Sequence, residues 1–189
     1  MSDGKQLVKT LITPPGIGSY MAVLEPKADP QGKMKYSLAL LIPKSLASSL
    51  GPLRAAITEV AQAKWGAKAE QILKTAKYPT IRDGDAKVDD DGKVDSTYKG
   101  HFYLSIRSDR KPQVIDGKKQ PVFTDEDVHS GCLIRCSVAV FPYEQSGNRG
   151  VGLGLNNVQV LEKRTRLDGR KAAEDEFTEW QSSDVDPMG

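Results

Sequence analysis

Between Met34 and Ile42 the chain reads MKYSLALLI, and Tyr36, Leu38, Leu40 and Ile42 fall on every second position. Side chains alternate across a strand, so this spacing predicts a strand with one apolar face. Ile17–Glu25 (IGSYMAVLE) predicts a strand before it, entered through the breaker Pro14-Pro15-Gly16 and stopped at Pro26. Asp29-Pro30-Gln31-Gly32 supplies a turn that makes the two a hairpin. His101–Ser108 (HFYLSIRS) turns Phe102, Leu104 and Ile106 inward and His101, Tyr103, Ser105 and Arg107 outward. Cys132–Tyr143 (CLIRCSVAVFPY) sets Cys132, Ile134, Cys136, Val138 and Val140 against Leu133, Arg135, Ser137, Ala139, Phe141 and Tyr143. A final strand, Gly150–Val160, has Val151, Leu153 and Leu155 on one face and glycines on the other.

One stretch changes period. After Pro43, the residues Leu53, Ile57, Val60 and Ala61 recur at helical spacing, which predicts a helix with a single packing face. Ser48 or Ser49 is expected to cap it, Pro52 suits its first turn, and Gly66 suits its end. A short second helix is expected over Ala69–Thr75. The order strands, helix, strands predicts a mainly β fold with one or two helices. The expected architecture is an OB-like Greek-key barrel of five strands with long loops. From Lys163 the chain is polar and without period. The expected division is a domain over 1–163, then an arm and a disordered acidic tail over 164–189.

With 189 residues, the chain can bury the core of one domain. No apolar run reaches bilayer length, and Met1–Lys9 lacks the apolar core of a secretory signal, so the cytoplasm is the expected location. On one strand face, Cys132 and Cys136 would stand about 13 Å apart, too far for a disulfide. With His129 they make a poor zinc set, so reduced thiols are expected, and neither a metal nor another cofactor. The net charge of +2 conceals an asymmetry. Residues 174–189 hold six acids (Glu174, Asp175, Glu176, Glu179, Asp184 and Asp186) and no Lys or Arg. Of the 25 acids, 19 then remain in the body beside 27 bases, a net of +8. A basic body with an acidic end suits a polyanionic ligand and a tail that mimics it; it equally suits an ordinary domain with a solubilising tail.

Several motifs fail on inspection. Gly150, Gly152 and Gly154 lack the third glycine spacing and the following helix of a dinucleotide fingerprint. They read better as room for a close neighbour on a strand. The acidic loop RDGDAKVDDDG does not fit a calcium loop, because Lys87 and Tyr98 fall where carboxylates are needed. A Mg²⁺-dependent nuclease drawing on Asp83, Asp85 and Asp89 within the loop 83–91 remains an alternative. No phosphate-binding loop or hydrolase motif occurs.

Cations that follow phosphates and rings that stack on bases are the two devices that hold an unpaired nucleic acid. Both are expected on strand exteriors here. His101, Tyr103 and Arg107 share a face, with Arg110 and Lys111 just beyond the strand end. Arg135, Phe141 and Tyr143 share another, and Lys118 and Lys119 sit in the turn after Asp116-Gly117. These ten residues are the candidate DNA contacts, against the plain alternative that the rings plug the barrel and the cations are solvated surface.

Five stretches carry a resemblance from about Gly18 to Phe177: VLEPKADPQGKMKYSLALLIPKS; WGAKAEQILKT with PTIRDGD; KGHFYLSIRSDRKPQVID; VHSGCLIRCSVAVFPYEQSGNRGVGLGLNNVQVLEK; and AAEDEF. In order and spacing the chain resembles a family of phage-encoded single-stranded DNA-binding proteins, similar in fold to the replication single-strand binders of short-tailed phages. The resemblance implies an OB fold, a helix between strands, no enzymatic activity, and an acidic tail that meets replication or recombination proteins. Here that tail comprises Glu174, Asp175, Glu176, Phe177, Glu179, Trp180, Asp184 and Asp186. In the replication single-strand binders of short-tailed phages the tail ends in an aromatic residue, whereas this chain ends Pro187-Met188-Gly189. A homodimer is compatible with the sequence, and a single-strand annealing recombinase is an alternative that shares the ligand.

Overall fold

Alternating apolar positions become alternating buried positions along the strands His101–Ser108 and Leu133–Gln145 of the computed structural model, which describes residues 6–171 and 173–179. Among these, eight strands form one sheet: β1 (Lys9–Ile12), β2 (Gly16–Ala28), β3 (Met34–Pro43), β4 (Arg82–Asp83), β5 (His101–Ser108), β6 (Gln113–Ile115), β7 (Leu133–Gln145) and β8 (Asn148–Glu162). Helices α1 (Gly51–Trp65) and α2 (Ala69–Thr75) lie between β3 and β4, and the single turn α3 (Ala173–Glu176) follows β8.

The five long strands pair in a circuit. β2 pairs with β3, β3 with β5, β5 with β8, and β8 with β7. β7 returns to β2 through Ile134↔Gly16 and Leu133↔Ile17. Every step is antiparallel except the β5–β8 seam at Arg107↔Gly154. The arrangement is OB-like, with β1 and β6 added at the margins. Inside lie Leu40, Ile42, Leu104, Ile134, Val138 and Val140, none with any exposure. Burying one such side chain is worth about 1.5–3 kcal/mol. α1 packs Leu53, Ala56, Ile57, Val60 and Ala61 on this core, so its stripe is a packing face. Cys132 and Cys136 are both free and buried, and burial pushes the Cys136 thiol up to about 12.

Three local expectations need correction. Neither Ser48 nor Ser49 caps α1: a 3-10 turn over Lys44–Leu50 leads straight into it, and Gly51 N–H donates to Ser48 O instead. Ser49 Oγ donates to Leu46 O within that turn. β1, β4 and β6, of four, two and three residues, are too short to show a period, and pairing with long neighbours creates them. Finally, Ala39 and Leu41, on the outward side of β3, are buried as well. The segment after β4 folds over them and seats Tyr98 in a second small core. Gly84 permits this, because a Cβ there would meet the backbone oxygens of Tyr98 and His101.

β2 contains a bulge. Between Ser19↔Ala39 and Ala22↔Ser37 it sets Tyr20 and Met21 against Leu38 alone. Tyr20 has φ +47°, a left-handed conformation costing an ordinary L-residue about 1–2 kcal/mol. Met21 N–H, freed from the ladder, donates to Ser130 Oγ at 3.1 Å.

Candidate nucleic-acid interface

β8 places Gly150, Gly152 and Gly154 on the outer face, opposite the buried Val151, Leu153 and Leu155. Across the ladder, Tyr143 pairs with Gly150 and Phe141 with Gly152. A Cβ on Gly152 would lie 2.9 Å from Phe141 Cζ, and one on Gly150 would lie 2.8 Å from Tyr143 Oη. The missing β-carbons are therefore what let both rings lie across the neighbouring strand. Both rings stay half-exposed. Tyr143 Oη reaches Tyr78 O at 3.5 Å, and burial pushes its phenol up while Arg82 and Arg107 pull it down.

The adjoining strands continue the surface. Tyr103 on β5 meets Tyr98 edge to face, with ring centres 5.0 Å apart. Tyr98 stacks in turn with Tyr20, at 6.3 Å and 30°. Cations lie over these rings: Lys87 at 4.5 Å from Tyr98 and 5.6 Å from Tyr20, and Arg82 at 5.8 Å from Tyr103 and 5.6 Å from Tyr78. Lys77 lies 5.2 Å over Tyr78. Burial pushes the Tyr98 phenol up to about 12, against the opposing hydrogen bond to Ser19 Oγ at 3.3 Å. Rings and cations thus interleave from β2 across β3, β5 and β8 to β7. Four interstrand steps span about 19 Å, room for on the order of five stacked nucleotides at about 3.4 Å each.

Of the residues expected from sequence, Tyr103, Arg107, Phe141 and Tyr143 come together on this face. Among the described residues, no carboxylate pairs with Arg82 or Arg107. His101 stands at the start of β5, with Nδ1 2.8 Å from Lys99 O, beside a hollow lined by Ile17, Leu41, Ser96, Thr97 and Leu167. Arg110 and Lys111 are exposed beyond the end of β5. Arg135 shares the Phe141 face but lies about 20 Å away along β7, where its Nε donates to Gln159 Oε1. Lys118 and Lys119 are exposed in the turn between β6 and Pro121, at that same far end. Tyr20, Tyr78, Arg82, Lys87 and Tyr98 were not among the expected residues. They come from a bulge, from the two-residue strand β4 and from connecting segments, none of which has a period to read. The only signal they carried was their residue type: ring and cation stand together in Lys77-Tyr78 and Tyr98-Lys99.

The acidic loop is occupied by its own chain. Lys44 Nζ lies 2.6 Å from both Asp83 Oδ1 and Asp85 Oδ2. Asp85 also accepts from Gly100 N–H, and Asp89 Oδ1 accepts from the N–H groups of Asp91 and Lys93, closing a turn. No group of three or more His, Cys, Asp or Glu poised for a metal occurs among the described residues. After β8 the chain turns back on the loop before β7: Lys163 pairs with Asp127, and Arg166 and Arg170 pair with Asp125. Glu174, Asp175, Glu176, Phe177 and Glu179 are exposed, whereas Trp180, Asp184 and Asp186 lie outside the described residues. Among the described residues, no helix is long and apolar enough to cross a membrane.

Solved structures share this architecture. The single-stranded DNA-binding protein of bacteriophage Enc34, in a C-terminal truncation, superposes with a TM-score of 0.64 at 19% identity, over 84% of this chain and 88% of that one. The same protein in complex with ssDNA gives 0.60 at 20% identity, over 84% and 89%. gp2.5, a single-stranded DNA-binding protein of bacteriophage T7, gives 0.60 at 15% identity over 97% and 98%. In sequence, "Putative protein p50" of Acyrthosiphon pisum secondary endosymbiont phage 1 is 34% identical over 137 residues, 69% of this chain and 71% of that protein. The family model described as "Enterobacter phage Enc34, ssDNA-binding protein" matches residues 11–186. On the extent of that match and the identity to p50, the chain belongs to the Enc34 single-stranded DNA-binding protein family.

Proposed function

We propose that this chain binds single-stranded DNA without strong sequence preference, in phage DNA replication or recombination in the host cytoplasm. The observation that carries this is the interleaving of rings and cations on one outer sheet face, in a family whose name-giving member binds ssDNA. Every base has a face to stack and every nucleotide a phosphate, so such a track is indifferent to sequence. Tyr103, Arg107, Phe141 and Tyr143 form its middle and β7 end, joined by Tyr78 and Arg82, while the buried Tyr98 supports Tyr103 and Tyr20 from beneath. His101, Arg110 and Lys111 flank it. Lys118, Lys119 and Arg135 extend the positive surface at the far end of β7 and β8. The chain acts by holding the strand and performs no chemistry.

Residues 1–163 form the binding domain, and 164–189 the arm and acidic tail. The tail competes with DNA for the basic face and, once displaced, is offered to replication or recombination proteins. The test is a titration of fluorescent oligo-dT, and of a duplex of the same length, across a range of salt. Tight single-strand binding that weakens steeply with salt is expected; equal affinity for the duplex would sink the reading. Including Mg²⁺ and end-labelled DNA checks the absence of cleavage. Mixing complementary strands tests for the annealing alternative. Removing residues 174–189 should tighten binding at low salt, and unchanged affinity would remove the tail from the scheme.

A further inference from the structure

Tyr20 occupies a position that disfavours it. Glycine or asparagine adopts φ +47° readily, whereas a bulky L-residue is strained there. The core gains little in return, because the side chain is 66% exposed. Its aromatic neighbour is Tyr98, and its cation is Lys87. Alternation explains what the bulge achieves. Ser19 faces outward, opposite Ala39 and within reach of the Tyr98 hydroxyl, so unbroken alternation would send residue 20 into the core. The extra residue instead sets Tyr20 on the outer face and still returns Val23 to the core. Bulges of this kind re-aim a side chain where a sheet meets its ligand.

We infer that Tyr20 is a base-stacking residue at the β2 end of the ring-and-cation track, and that the left-handed bulge serves to present its ring there. This rests on the proposed binding of single-stranded DNA. Strain at the backbone and exposure of the ring predict opposite effects on stability and on binding.

The experiment compares the full chain with Tyr20→Gly, Tyr20→Asn and Tyr20→Phe, measuring oligo-dT affinity at several salt concentrations together with thermal unfolding. Tyr20→Gly and Tyr20→Asn should weaken binding roughly tenfold or more, as expected for one lost stacking contact. Their salt dependence should be unchanged, since no phosphate contact is removed. Their thermal midpoints should equal or exceed that of the unaltered chain, and Tyr20→Phe should bind like it. If the unaltered chain binds and both Tyr20→Gly and Tyr20→Asn bind equally well, the inference falls and the parent reading stands. If affinity falls only alongside the thermal midpoint, the ring is structural and the inference also falls. If the unaltered chain binds no single strand, the parent reading falls and takes this one with it.

Discussion

Gly152 shows how a residue without a side chain shapes the proposed binding surface. A β-carbon on Gly152 would stand only 2.9 Å from Phe141 Cζ, so Gly152→Ala must shift the ring away from the strand. Its cost in oligo-dT affinity should match that of Phe141→Ala, about 1–3 kcal/mol, with the salt dependence unchanged. A Gly152→Ala chain that binds normally would show that the ring's posture is immaterial. Tyr103 has two duties, since it meets Tyr98 in the second small core as well as facing the track. Tyr98 can be followed directly. Its phenol is pushed up to about 12, above the ordinary value near 10, so the stability tied to its protonated form is complete below about pH 10. That stability is lost as pH rises through the folded value. In a titration of phenol absorbance, Tyr98 and Tyr143 should ionise later than an ordinary phenol, and Tyr98→Phe should remove the step near 12 while leaving that of Tyr143.

At the scale of elements, turns and junctions decide where the track's pieces stand. The β7–β8 hairpin turns through Ser146 and Gly147, at φ +52° and +79°. Asn-Gly is the preferred pair for such a turn, so Ser146→Asn should stabilise the chain by about 0.5–1 kcal/mol, read as a shifted denaturant midpoint. A second junction ties the start of the 3-10 turn to β4, where Lys44 bridges Asp83 and Asp85. Lys44 holds the Asp83 carboxyl below the usual range; for Asp85, Gly100 N–H does most of this and Lys44 adds to it. Lowered folded-state values mean that this support is present above about pH 4 and is lost as pH falls through them. Lys44→Met should therefore narrow the gap between unfolding midpoints at neutral pH and near pH 3. An unchanged gap would show the bridge to be inert. β5, β7 and α1 were legible in the sequence because each buries one regular face, and β3 because its inward positions alternate even though its outer face is covered too. The 3-10 start of α1 was not, because no serine performs the capping that its position suggested.

For the whole molecule, charge and length set the scale of binding. A body of net +8, with about 19 Å of track, should engage on the order of five phosphates. At about −0.7 per phosphate on a single strand, the log–log salt slope should lie near −3 to −4. A slope near zero would mean that the cations on this face do not meet the backbone. The family, the mainly β class and four of the ring and cation residues named on this face could be read from the chain alone. Tyr103, Arg107, Phe141 and Tyr143 sit on strands whose alternation gives their faces away.

What the sequence determined by itself is the set of faces, since a period of two or 3.6 is a local property and burial enforces it wherever it is long enough to repeat. Only the tertiary structure decided which faces meet. Closing the strands brought β5, β8 and β7 side by side, separated Arg135 and the Lys118-Lys119 turn from the rings, paired Arg82 beside Tyr103 at the sheet's edge, and folded Tyr98 over the sheet from a segment without a period. It also placed Tyr20, because a bulge cancels the alternation from which its direction would have been read. Neighbours distant in sequence are chosen by pairing and close packing across the whole chain, and no local pattern records that choice.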